Sequence, residues 1–130
     1  MIEALLKRPG VTAGRTVGEA MGKILASSPR PAPAPPAEGI SEKEFQAKVI
    51  ELVKSYGWMA YHTFDSRRSE AGFPDLLLLR GEEIVVLELK VPPNKATAKQ
   101  RAWLKAFERA HVGAHLVYPT DWNLLVEGLK

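Results

Sequence analysis

The sequence predicts an α/β domain, a mixed central sheet flanked by helices, with elements in the order αβββαβ and a short closing helix. Three observations predict it. Two apolar runs, Leu76 to Leu79 and Ile84 to Leu89, flank Arg80-Gly81-Glu82-Glu83, and together they read as an antiparallel hairpin. On each side of that hairpin, apolar residues recur at helical spacing behind a capping residue. A further short apolar run, Ala114 to Tyr118, follows the second helical stretch and supplies a fourth strand.

Taken in order, Ser41 reads as an N-cap, and Glu44 three residues on completes a capping box. Phe45, Val49, Leu52, Val53 and Tyr56 form the apolar side of the helix behind it, and Gly57 ends it. Trp58 to Phe64 reads as the first strand, with Trp58, Ala60, His62 and Phe64 on one face and Met59, Tyr61 and Thr63 on the other. Asp65 to Gly72 is a polar loop. After the hairpin, Pro92-Pro93-Asn94 stops the strand. Thr97 caps a helix running to about His111, with Trp103, Phe107 and Ala110 turned inward as core and Gly113 closing it. Asp121 caps a last short helix holding Trp122, Leu125 and Leu129.

Two regions are expected. Residues 1–40 read as a flexible leader and Pro/Ala-rich linker, with a short amphipathic stretch around Val17 to Leu25 and nothing to pack in Ser28 to Ala37. Residues 41–130 form the domain. A chain of 130 residues, 45% hydrophobic and 25% charged, holds one ordinary core. No cysteine is present, which excludes disulfides and thiolate metal sites. No apolar run reaches the ~20 residues that span a bilayer, and no signal-peptide core opens the chain, so the expectation is a cytoplasmic protein without membrane contact.

The far end of the hairpin carries the chemistry. Successive strand side chains alternate in face, so Glu88 and Lys90 share one. Asp75 opens the neighbouring run and comes level with them across the hairpin. Two carboxylates and an ammonium are costly to bury there unless they hold something. A hard, oxygen-seeking cation such as Mg²⁺ or Mn²⁺ is the natural occupant. The bland readings are a turn aspartate after proline and a cross-strand ion pair.

Gly72-Phe73-Pro74-Asp75-Leu76, then Glu88-Leu89-Lys90, then Gln100, resembles the PD-(D/E)XK nuclease superfamily. Within it, residues 41 to 122 look most like the VRR-NUC family, in particular its small stand-alone phage and bacterial members. The resemblance implies a restriction-endonuclease-like core and a metal-dependent endonuclease acting on DNA, with branched DNA such as Holliday junctions as substrate. Asp75 and Glu88 would hold the metal with the main-chain carbonyl of Leu89. Lys90 would position or deprotonate the attacking water, or stabilise charge in the transition state. The superfamily habit of adding an acid from the first helix points to Glu42, since Glu44 is explained by its capping box. Gln100 falls near the active site by resemblance, while Thr97-x-x-Gln100 is also a complete capping box.

Net charge is +3 and the isoelectric point near 9.3, only mildly basic. With Asp75 and Glu88 neutralised by metal, Arg67, Arg68, Lys95, Lys99, Arg101 and Lys105 would set a local potential suited to phosphates. His62, just before the arginine-bearing loop, is a candidate substrate contact, with a core or rim histidine as the alternative. His111 and His115 are expected to be structural. A junction with two equivalent strands implies a homodimer in a bacterial or phage-infected cell. The readings from other classes are a non-catalytic nucleic-acid-binding module of the same fold and a metal-binding regulatory protein.

Overall fold

The computed structural model describes residues 32–63 and 70–130. The amphipathic stretch around Val17 to Leu25, Phe64, Arg67 and Arg68 lie outside the described residues. The elements are helix α1 (Glu42–Ser55), strands β1 (Met59–His62), β2 (Leu76–Arg80) and β3 (Glu83–Leu89), helix α2 (Ala98–Arg109), strand β4 (Gly113–Val117), a 3₁₀ turn (Pro119–Asp121) and helix α3 (Trp122–Leu129). The αβββαβ order and the closing helix are those the sequence predicts.

The four strands lie in sequence order. The first two pairings are antiparallel, and β4 joins β3 in parallel, so the sheet is mixed. The β2–β3 turn is two residues long, and Gly81 takes φ +57° at its first position. That position is where a type II′ hairpin turn requires glycine. The register this turn fixes, Leu76 opposite Leu87, brings Asp75 level with Glu88 one step further on.

Helices cover the sheet from both sides. Phe45, Val49, Leu52 and Val53 of α1, with Trp122, Leu125 and Leu129 of α3, bury one face against Leu76, Leu78, Val85, Leu87 and Leu89. On the opposite face Leu104 of α2 packs on Val86 and Ala114, with Leu77, Phe107 and Leu116 partly buried around them. Strand alternation therefore puts Glu88, two past Val86, and Asp75, two before Leu77, on the α2 side.

Several boundaries differ from expectation. Strand β1 ends at His62 in the described residues, although Trp58 before it is buried. Ser41 accepts from the Glu44 amide, but Glu44 returns its carboxylate to the Ser41 hydroxyl and not to the backbone, so the capping box is incomplete. On α2 the buried residue is Leu104, while Trp103 and Phe107 are half-buried and Ala110 is exposed. The helix closes at His111, φ +64°, not at Gly113, which already belongs to β4. Val112 N–H reaches the Phe107 carbonyl and His111 N–H that of Glu108, a Schellman closure with histidine in the left-handed position. Asp121 accepts from the Tyr118 amide at 2.8 Å, fastening the 3₁₀ turn rather than capping α3.

The described end of the Pro/Ala segment touches the domain. The Trp122 indole donates to the Pro33 carbonyl at 3.3 Å, and Ile40 packs on the core. Among the described residues no helix is long and apolar enough to cross a membrane.

Candidate active site

Asp75 and Glu88 meet at the end of the hairpin opposite its turn. Pro74 is buried, and its carbonyl accepts from the Thr63 hydroxyl at 3.2 Å. Thr63 N–H in turn donates to the Asp75 carbonyl at 3.1 Å. These bonds hold the entry to β2 against the end of β1. Asp75 Oδ2 then accepts from the Leu89 amide at 2.8 Å, which fixes the carboxylate across the strand pair.

Glu88 is 1% exposed. Its Oε2 accepts from Gln100 Nε2 at 3.3 Å and lies 3.7 Å from Lys90 Nζ, an ion pair beyond hydrogen-bond length. Its Oε1 is buried and has no hydrogen-bond partner among the described residues. Burial above all, and then the Asp75 carboxylate beside it, push the Glu88 carboxyl up to about 9. The charge of Glu42 acts in the same direction, and Lys90 opposes it. The cluster thus holds more negative charge than its surroundings accommodate, and an unmet oxygen points into it.

Gln100 serves two partners. Its Oε1 accepts from the Thr97 amide at 2.8 Å, and the Gln100 amide donates to Thr97 Oγ1 at 3.1 Å, a complete capping box. With the side-chain oxygen so engaged, the NH₂ group is the end that faces Glu88. The structural and the site reading of Gln100 therefore hold together.

The glycine before the motif brings its loop onto α2. Gly72 has φ +90°, and a Cβ there would fall 2.7 Å from the carbonyl carbon of Lys99 and 2.9 Å from its Cβ. The loop thus lies directly on the first turn of α2. Phe73 then meets Trp103 edge to face, centroids 5.2 Å apart, and Phe107 at 5.9 Å.

Of the other residues singled out from the sequence, Glu42 is exposed at the start of α1 and near enough to act on Glu88, whereas Glu44 is tied to Ser41. Among the described residues no group of three or more His, Cys, Asp or Glu side chains gathers at metal-holding range, so Asp75 and Glu88 form a pair with Glu42 outside it. Leu89 is buried at the end of β3. His62 ends β1, opposite Leu76 and half-buried. Lys95 and Lys99 are exposed, and Arg101 turns back to the Ala96 carbonyl. His115 is buried in β4 opposite Leu87, so it lies on the α1 side of the sheet and not on the carboxylates' face.

Sequence reasoning missed a cavity of about 260 Å³ lined by Glu70, Ala71, Lys99, Ala102 and Trp103. Its walls come from a loop and a helix distant in sequence, and only the approach of Gly72 to Lys99 hints at it.

No curated protein matches the chain by sequence. Among solved structures it is similar to a Holliday junction resolvase, Hjc, of Archaeoglobus fulgidus. The identity is 19% and the TM-score 0.47, over 57% of this chain and 63% of the resolvase. The VRR-NUC domain profile matches residues 19–119, well over half of the chain. The chain therefore belongs to the VRR-NUC domain family of nucleases.

Proposed function

We propose that this chain is a metal-dependent endonuclease that hydrolyses phosphodiester bonds in DNA, with Asp75, Glu88 and Lys90 at its centre as in the PD-(D/E)XK nucleases. One observation carries the reading: a buried Glu88 oxygen without a partner, beside a second carboxylate. Such an arrangement is destabilising by itself and becomes favourable when a cation occupies it. All the donors are hard oxygens, which suits Mg²⁺ or Mn²⁺.

Asp75 and Glu88 would hold the cation, with the Leu89 carbonyl as a third oxygen and Glu42 as an outer acid. Once bound, the cation lends Lewis acidity to a phosphate oxygen and to water. Gln100 keeps the Glu88 carboxylate aimed by donating to its Oε2. The Lys90 ammonium, 3.7 Å from the same oxygen, would orient the attacking water and meet the charge that builds on the phosphate. Lys95, Lys99, His62 and the Arg67–Arg68 pair would grip the DNA backbone.

Branched DNA is the proposed substrate, cut by a homodimer because a four-way junction presents two equivalent strands. This finer reading rests on the likeness to small stand-alone VRR-NUC proteins. Cleavage of linear duplex, flap and four-way-junction DNA with Mg²⁺ or Mn²⁺ tests it. We expect cleavage that stops on chelation and fails in Asp75→Ala, with the junction cut fastest. Wild-type rates in Asp75→Ala would remove Asp75 from the site, and equal cutting of all three DNAs would remove the branched substrate.

A further inference from the structure

An open recess between the loop that leads to Asp75 and α2 offers groups suited to a flat, hydrogen-bonding ligand. Trp103 forms one wall. Its ring is held on three sides: the indole N–H donates to the Ala71 carbonyl at 3.1 Å, and Phe73 and Phe107 pack on it at 5.2 and 6.1 Å. With the N–H engaged, what the indole offers a ligand is π surface, already fixed in orientation. Ala102 keeps the neighbouring wall low. Lys99 brings an ammonium and Glu70 a carboxylate, one group for a phosphate and one acceptor for an amino or imino edge. The recess is linked to the carboxylate pair through neighbouring residues. Gly72 lies on the Lys99 backbone three residues before Asp75, and Gln100, next to Lys99, donates to Glu88.

We infer that this cavity receives one unpaired nucleobase of the DNA substrate, stacked on Trp103, while the adjoining phosphate lies toward Lys99 and the carboxylate pair. The inference rests on the nuclease reading and deepens it: the enzyme would select DNA with an unpaired or extruded nucleotide next to the cut. A fully paired duplex keeps its bases stacked and cannot fill the cavity. Stacking on an aromatic wall tolerates every base, so selection acts on structure and not on sequence.

The test measures binding apart from cleavage. The full chain is titrated in chelator with two DNAs of one sequence, one fully paired and one with a single unpaired nucleotide, by anisotropy and by tryptophan emission. Trp58 and Trp122 are each 3% exposed, so quenching on binding reports on the half-buried Trp103. The DNA with the unpaired nucleotide should bind more tightly and quench emission. Trp103→Ala should weaken that complex roughly 5- to 150-fold, the range for one stacked base, and leave the paired duplex unchanged.

Since Trp103 also supports Phe73 and Phe107, Ala102→Leu provides a second variant. Position 102 is an exposed helix site where leucine is well tolerated, and its side chain would fill the cavity. It should abolish the preference and the quenching. Equal affinity for the two DNAs, or an unchanged preference in Ala102→Leu, overturns the inference. If cleavage with Mn²⁺ survives that outcome, the nuclease reading stands without it. Failure to cleave either DNA overturns the nuclease reading, even where the unpaired base is preferred.

Discussion

Glu88 would couple stability to function. Its carboxyl titrates near its ordinary 4.5 when the chain is unfolded and at about 9 in the fold. The folded chain therefore holds the proton more tightly. The stabilisation this gives is complete below pH 4.5, declines as pH rises, and is lost above about 9. Glu88→Gln keeps the shape and the acceptor while removing that titration. In chelator it should melt higher than wild type at about pH 8, with the gap closing toward about pH 5, yet cut DNA on the order of 10²-fold more slowly. Parallel melting curves across that range would contradict the electrostatic account. Gly72 acts through geometry: alanine at φ +90° with its Cβ against Lys99 should cost about 1–3 kcal/mol and lift Asp75 off its partner. A displacement of ~1 Å at a reacting centre typically lowers turnover ~10²-fold, so Gly72→Ala should lose activity beyond its loss of stability. Retention of full turnover by a folded Gly72→Ala would show that the loop does not set Asp75. The nearness of Asp75, Glu88 and Lys90 was legible from the sequence because strand alternation and a two-residue turn leave one register. The exposure of Trp103 was not, because a tryptophan at helical spacing reads as core until the loop against it is known.

Among the elements, α3 depends most on a single side chain. Arg80 Nη1 donates to the Tyr56 and Leu129 carbonyls at 3.1 and 2.9 Å, and Nη2 to that of Lys130 at 3.2 Å. The guanidinium also pairs with the buried Glu83 at 3.1 Å and stacks on Trp58, 4.3 Å from the ring centroid. Trp58 Nε1 meets the same Leu129 carbonyl at 2.9 Å. This guanidinium thus joins β2 to the last turn of α3, which lies beyond residue 119, where the family match ends. Arg80→Ala should cost about 1.5–3 kcal/mol, the scale of charge-assisted bonds, and α3 amides should exchange hydrogen earlier than those of β3. Uniform exchange across both elements would mean that α3 does not depend on the clamp. Helix and strand positions were legible because apolar periodicity survives any tertiary arrangement. Their ends were less so. The α2 terminus went to His111 because the Schellman bonds select the residue two before β4, whatever its identity, and Asp121 was taken by a 3₁₀ turn that periodicity does not reveal.

At the scale of the molecule, the sheet separates packing from chemistry. The α1 and α3 face is apolar from Phe45 to Leu129, and the α2 face ends in Asp75, Glu88 and Lys90. A net charge of only +3 would become effective toward a polyanion if a cation neutralised the paired acids and left the exposed Lys95 and Lys99 to meet phosphates. Whole-chain composition could not reveal this, since it averages the paired acids with those bases. If both lysines grip phosphates, Lys95→Ala with Lys99→Ala should weaken binding to any duplex in the presence of Ca²⁺, which should occupy the carboxylates with little cleavage. The slope of log K against log salt should become shallower by about 0.9 for each phosphate no longer neutralised. Base identity should matter little, because a lysine on a phosphate follows the backbone and not base edges. Titrations from low to moderate salt on two unrelated sequences measure both effects. An unchanged slope in the double variant would make the lysines solvated bystanders and move the DNA path to another face of the sheet.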